Sequence, residues 1–172
     1  MLAQIGVVPD RVLATEIDET PWPDEAPRPY ALRMAQEKAA AADAPGCFVL
    51  AADTVVAVGR RILPKALDDT AVRACLTQLS GRRHHVLTAI VLRTPDGAQS
   101  CRVVDSSVTF ARLTPQQTDA YVECAEGLGK AGGYAIQGRA AAFVRALSGS
   151  YSGVVGLPLF ETAQLLRGRR VI

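Results

Sequence analysis

The chain has 172 residues, 49% of them hydrophobic and 21% charged, with 19 basic residues against 17 acidic ones. That length predicts one domain whose core needs no disulfide or metal staple. The apolar fraction excludes a disordered or fibrous chain, no apolar run approaches the ~18 residues of a membrane span, and near-balanced charge gives no argument for a dedicated nucleic-acid protein.

Met1-Leu2-Ala3-Gln4-Ile5-Gly6 lacks the basic and apolar regions of a signal peptide and reads as the last turn of a helix. Val12 to Thr15 is a first strand candidate. Thr20 to Pro29 carries four prolines and Trp22, a stiff loop, with Pro29 fitting the first turn of a helix over Tyr30 to Ala42. Pro45-Gly46 ends that unit. Cys47 to Val56 is apolar except for Asp53 and Thr54, which suits a central strand covered on both faces. Gly59-Arg60 turns into Arg61-Ile62-Leu63. Asp69 to Leu79 sets Val72, Cys75, Leu76 and Leu79 on one helical face, and Ser80-Gly81 stops it.

His84 to Arg93 and Cys101 to Leu113 read as long strands joined through Thr94-Pro95-Asp96-Gly97. Thr114, Pro115 and Gln117 form a helix start with a capping box. A glycine-rich stretch, Gly127 to Gly138, follows. Phe143 to Leu147 and Tyr151 to Val155 read as a hairpin across Ser148-Gly149-Ser150, and Pro158 starts a last helix through Leu166. Arg167, Arg169 and Arg170 suit a solvated helix end, with nucleic-acid binding the weaker reading. This order predicts an α/β domain built on a twisted mixed sheet with helices packed on it. Cys47, Cys75, Cys101 and Cys124 are widely spaced with no Cys-x-x-Cys pair, so reduced thiols in a cytoplasmic protein are the simplest reading.

Asp53 is the most informative residue. A carboxylate inside an apolar strand costs several kcal/mol unless it is paired or on a metal. It is either a strand end meeting solvent, or a metal ligand or general base aimed into a cleft. Ile17-Asp18-Glu19 alone reads as a solvated acidic loop, and Lys38, Lys65 and Lys130 singly read as surface lysines. Together, such carboxylates suit a hard cation and such lysines suit phosphate oxygens. Gly127, Gly129 and Gly132 formally fit a dinucleotide fingerprint, but a helix precedes them where a strand is required. Gly129-Lys130-Ala131 fails the P-loop pattern, and Tyr151 stands where a nucleophile elbow needs serine. His84 and His85, adjacent on a strand, point to opposite faces and cannot chelate one metal together.

Several segments in order carry a resemblance: Ile17-Asp18-Glu19, Ala51-Ala52-Asp53-Thr54-Val55-Val56, Leu79-Ser80-Gly81-Arg82, Lys130-Ala131-Gly132-Gly133-Tyr134-Ala135-Ile136-Gln137-Gly138, Ser150-Tyr151 and Val155-Gly156-Leu157-Pro158. They resemble the Maf family of nucleoside triphosphate pyrophosphatases over essentially the whole chain. The resemblance implies a Maf/inosine-triphosphatase-like fold with a central cleft, and cleavage of a triphosphate between its α and β phosphates. It implies Asp53 as the general base that activates water or as the residue beside a divalent metal, Mg²⁺ or Mn²⁺, with Glu19 as the second acidic residue of that metal centre. It implies Lys38, Lys65 and Lys130 on the phosphate chain, and Thr54 and Gln137 discriminating the base. The Ile-Gln-Gly form resembles the branch acting on dTTP and UTP, and the family implies a homodimer. The alternative is a nucleotide-binding or regulatory protein with impaired catalysis.

Two positions depart from the family pattern: Gly129 where aspartate usually precedes Lys-Ala-Gly, and Ala66 where proline usually follows the lysine. Family members also begin with a strand and a Ser-x-Ser-Pro-Arg-Arg phosphate loop. Leu2 to Gly6 matches only the helix end after that loop, so an uncovered sheet edge or groove is expected.

Overall fold

A computed structural model describes residues 1–172. The apolar runs become five strands: β1 (Val49–Val58), β2 (Arg61–Leu63), β3 (Arg83–Arg93), β4 (Gln99–Phe110) and β5 (Val144–Ser148). They form one sheet in the order β2-β1-β3-β4-β5. The α/β class stands, but every pairing is antiparallel, so the sheet is not mixed. The turns explain this. Gly59-Arg60 and the 94–97 turn close tight hairpins, which antiparallel neighbours can use and parallel ones cannot.

β3 is the central strand, not the run containing Asp53. β1 pairs with β2 only over Val56–Val58, so from Val49 to Val55 its outer edge has no strand beside it. A continuous apolar run reports two covered faces; it does not report two paired edges. Helix α1 (Pro27–Ala41) covers one face. Its small residues Ala31, Ala35 and Ala39 let it lie close on Val55, Ala57, Leu87, Ala89 and Val91. The other face packs α2 (Asp69–Leu79) and α3 (Pro115–Glu123) through Leu76, Leu79 and Tyr121 onto Val56, Val86, Val108 and Phe110. The capping box at Thr114 and Gln117 is formed as expected. No helix is long and apolar enough to cross a membrane.

Three other expectations are corrected. Val12 to Thr15 forms no strand: Val12 and Leu13 are exposed, and the segment pairs with no strand of the sheet. Tyr151 to Val155 is a short helix, α4, not the second arm of a hairpin, because the Ser150 side chain accepts from Gly153 N and caps it. β5 pairs instead with β4. Helix α1 begins at Pro27, so two prolines share its first turn, where no N–H partner is required. The closing helix, α5 (Leu159–Gly168), starts at Pro158 as expected. Leu2–Ile5 is a short 3₁₀ turn closed by left-handed Gly6.

The two histidines do separate by face. His85 is half-exposed against Asp105, whereas His84 is fully buried between Phe110 and Tyr134. His84 Nε2 lies 2.8 Å from Tyr134 Oη, and its Nδ1 has no partner. Burial pushes its pKa down to about 4 from 6.5. Between those values the unfolded chain takes up a proton that the folded protein refuses. Stability is therefore whole above pH 6.5, is lost as pH falls towards 4 and levels below it. The expected loss is about 3 kcal/mol. Urea unfolding of the wild type and His84→Gln across pH 4–7 checks this; equal slopes in the two proteins would refute it.

Candidate active site

Alternation along β1 puts Asp53 on the face covered by α1 and Thr54 on the opposite face. Because the outer edge of β1 is open there, one cavity reaches both. It has a volume of about 260 Å³, and Lys38, Asp53, Thr54, Lys65, Lys130 and Gln137 line it. The sequence candidates thus converge, with Glu19 joined through ion pairs.

Lys38, near the end of α1, is the hub. Its Nζ lies 2.5 Å from Asp53 Oδ1 and 2.8 Å from Glu19 Oε1. Glu19 Oε2 in turn accepts from Lys65 Nζ. Asp53 is buried, whereas Glu19 and Lys65 are partly open to solvent. Burial is the largest influence on Asp53 and raises its pKa despite the Lys38 ammonium. Burial is also the largest single influence on Glu19, but hydrogen bonds from Lys38 and Lys65 outweigh it and hold that carboxyl low. For Lys38, burial is outweighed by Asp53 and Glu19, which keep the ammonium charged above the ordinary lysine range. Two carboxylates in one cluster are thus driven apart in basicity, with Asp53 the better proton acceptor.

Lys65 and Lys130 are brought side by side by backbone pairing. Lys65 bridges Ala131, Ala66 N donates to Lys130 O at 3.1 Å, and Gly132 N donates to Pro64 O at 3.1 Å. Gly132 has φ +65°, and a Cβ there would lie 2.8 Å from the Val56 side chain. Only glycine lets this segment approach the sheet so closely. The glycine stretch is therefore a packed turn, followed only by a short 3₁₀ helix over Arg139–Phe143 and not by the α-helix that a dinucleotide site would need.

Glu19 lies outside any helix or strand, yet it is pinned. Tyr30 Oη donates to Glu19 O at 2.6 Å. Arg33 donates to both Glu25 oxygens at 2.8 and 2.7 Å and to Thr20 O at 3.1 Å, and its guanidinium lies 4.2 Å from the Trp22 ring centroid. Sequence reasoning missed both residues. The available signal was an aromatic and an acid inside a proline-rich loop, beside a helix with a free arginine. It also missed Thr88, whose hydroxyl lies 2.9 Å from that of Thr54. Its signal was a polar residue inside the apolar run of β3.

No group of three His, Cys, Asp or Glu side chains converges anywhere in the chain. The carboxylates at hand are Asp53, which lines the cavity, and Glu19, which joins it through the shared ion pair with Lys38. That donor set fits a hard divalent ion that completes its shell with water and phosphate oxygens.

A family model described as Maf-like protein matches residues 1–169. A dTTP/UTP pyrophosphatase of Gluconobacter oxydans is 58% identical, covering 99% of this chain and 82% of its own. A dTTP/UTP pyrophosphatase of Granulibacter bethesdensis is 59% identical, covering 98% and 86%. One of Caulobacter vibrioides is 58% identical, covering 98% and 88%.

Proposed function

Because the chain belongs to the Maf family, we propose that it hydrolyses dTTP and UTP to the nucleoside monophosphate and pyrophosphate. The observation that carries the reading is the convergence of a buried carboxylate, three lysines, a hydroxyl and an amide on one cavity. That set matches the needs of a nucleoside triphosphate: a proton acceptor, neutralisation of the phosphate chain, and polar groups for a base edge.

In this reading, Asp53 takes a proton from the attacking water through its carboxylate. The water oxygen bonds to the α-phosphorus, the bond to the bridging oxygen breaks, and pyrophosphate leaves. The raised pKa of Asp53 matches it to that task, since a base closer to neutrality accepts a proton more readily. Lys65 and Lys130, with exposed side chains, hold the outer phosphates, and Lys38 neutralises charge nearest Asp53. Thr54 and Gln137 meet the base, where an amide can both donate and accept. Asp53 and Glu19 would hold a divalent cation, Mg²⁺ or Mn²⁺, which supplies neutralisation of charge on the reacting phosphates when bound.

The reading includes a cytoplasmic setting, consistent with four cysteines that form no disulfide. It also includes a homodimer, for which the exposed side chains of Tyr151 and Phe160 offer apolar contact. The test is direct. Purified protein with dTTP or UTP and Mg²⁺ should release pyrophosphate, read as phosphate only after inorganic pyrophosphatase is added, and EDTA should stop it. No pyrophosphate from either nucleotide would overturn the assignment.

A further inference from the structure

Thr88 stands opposite Thr54 in the β1–β3 pairing. Its side chain is fully buried, and its Oγ1 meets two oxygens: Gly153 O at 2.7 Å and Thr54 Oγ1 at 2.9 Å. A threonine hydroxyl owns one proton. A carbonyl oxygen owns none, so the proton between Thr88 and Gly153 belongs to Thr88; otherwise two acceptors would face each other. Gly153 O also accepts from Gly156 N at 3.0 Å, which fixes it as an acceptor. With its own proton committed, Thr88 can only accept from Thr54. The Thr54 proton therefore points into the sheet, and what its hydroxyl can offer the cavity is lone pairs.

We infer that Thr88 is a positioning residue that makes Thr54 an obligate hydrogen-bond acceptor, so that the cavity selects a base edge that donates. Uracil and thymine carry an N3–H between two carbonyls. Cytosine carries an unprotonated N3 in place of that N3–H and has its donor on the N4 amino group instead, so with N3 set against Thr54 lone pair would meet lone pair. The Gln137 amide at the same cavity can satisfy a neighbouring carbonyl. This inference rests on the nucleotide reading above and supplies a physical reason for the choice between pyrimidines. A site committed by buried partners discriminates far more strongly than one whose hydroxyl can rotate.

The experiment compares Thr88→Val, which keeps the shape but removes proton and acceptor, with Thr88→Ser, which keeps both. Gly153 O retains its bond from Gly156 N in either variant. The readout is the ratio of kcat/KM for UTP to that for CTP, together with equilibrium binding of UMP and CMP. In Thr88→Val the preference for uracil should narrow about 10- to 100-fold, because the Thr54 hydroxyl is free to turn and donate. Thr88→Ser should retain the wild-type ratio. Thr88→Ala carries the same expectation as Thr88→Val if the valine variant does not fold. Equal losses on both nucleotides with an unchanged ratio, or a ratio changed equally by serine, would overturn the inference. A wild type that turns over neither triphosphate would count against the hydrolytic reading alone; the UMP to CMP binding ratio then decides the role of Thr88. A wild type that binds neither monophosphate overturns both.

Discussion

Asp53→Asn should lower kcat on dTTP and UTP about a thousandfold while leaving the protein folded. The hydrogen bond from Lys38 survives the substitution. Asparagine has nearly the shape of aspartate and can still accept from Lys38 through Oδ1, where the present contact is 2.5 Å. What it cannot do is take a proton from water. Burial, the first influence on Asp53, already disfavours its ionised form, so the fold gains little from that charge. Stability should therefore change by no more than about 1 kcal/mol. Turnover measured under substrate saturation, beside a urea melt, separates the outcomes. Retained turnover would remove Asp53 from water activation. A melt that collapses would make the residue a structural partner of Lys38.

The reverse substitution has the opposite profile. Lys38→Met should cost about 3 kcal/mol of stability at pH 7, because it leaves Asp53, only 8% exposed, as an uncompensated buried charge. Glu19 suffers less, since Lys65 still holds its other oxygen. The pH dependence follows from signs. The pKa of Lys38 is raised on folding, so its contribution is whole below the ordinary lysine value and is lost only as pH rises beyond it. In the variant, Asp53 becomes protonated as pH falls, so the deficit should narrow on acidification. Lys38→Met combined with Asp53→Asn should recover most of the loss, because the charge that required the ammonium is gone. Denaturant melts of the single and double variants at pH 7 and 5 provide the cycle. Strictly additive losses would mean that the two residues do not depend on each other.

Much of this arrangement is legible in the chain itself, and the exceptions share a cause. Signals that act within a few residues are faithful. Thr114, Pro115 and Gln117 build the cap their types predict, and Asp69–Leu79 is a helix with the face its spacing predicts. Signals that depend on distant partners mislead. Tyr151–Val155 ends in two valines and reads as a strand, yet Ser150 accepting from Gly153 N turns it into helix. Val12–Thr15 has strand composition but pairs with no strand of the sheet. The site divides in the same way. Asp53 is conspicuous because its neighbours are apolar. Glu19 looks like part of a solvated acidic loop until Tyr30 and Arg33, both on α1, are seen to tie that loop down. Thr88 is invisible as a site residue without knowing that it faces Thr54 across the sheet.

The half-paired strand has a kinetic consequence. Residues of an antiparallel strand aim their amides alternately at one neighbour and the other. Between Val49 and Val55, those of β1 that face β3 are tied, while the alternate ones meet no strand. Deuterium uptake along this strand would therefore be comb-like, slow and fast at successive positions. Asp53 and Thr54 stand next to each other on that comb, so one site residue sits on a locked tooth and the other on a loose one. The strand can hold its register from one side while the other side stays free to adjust to whatever occupies the cavity.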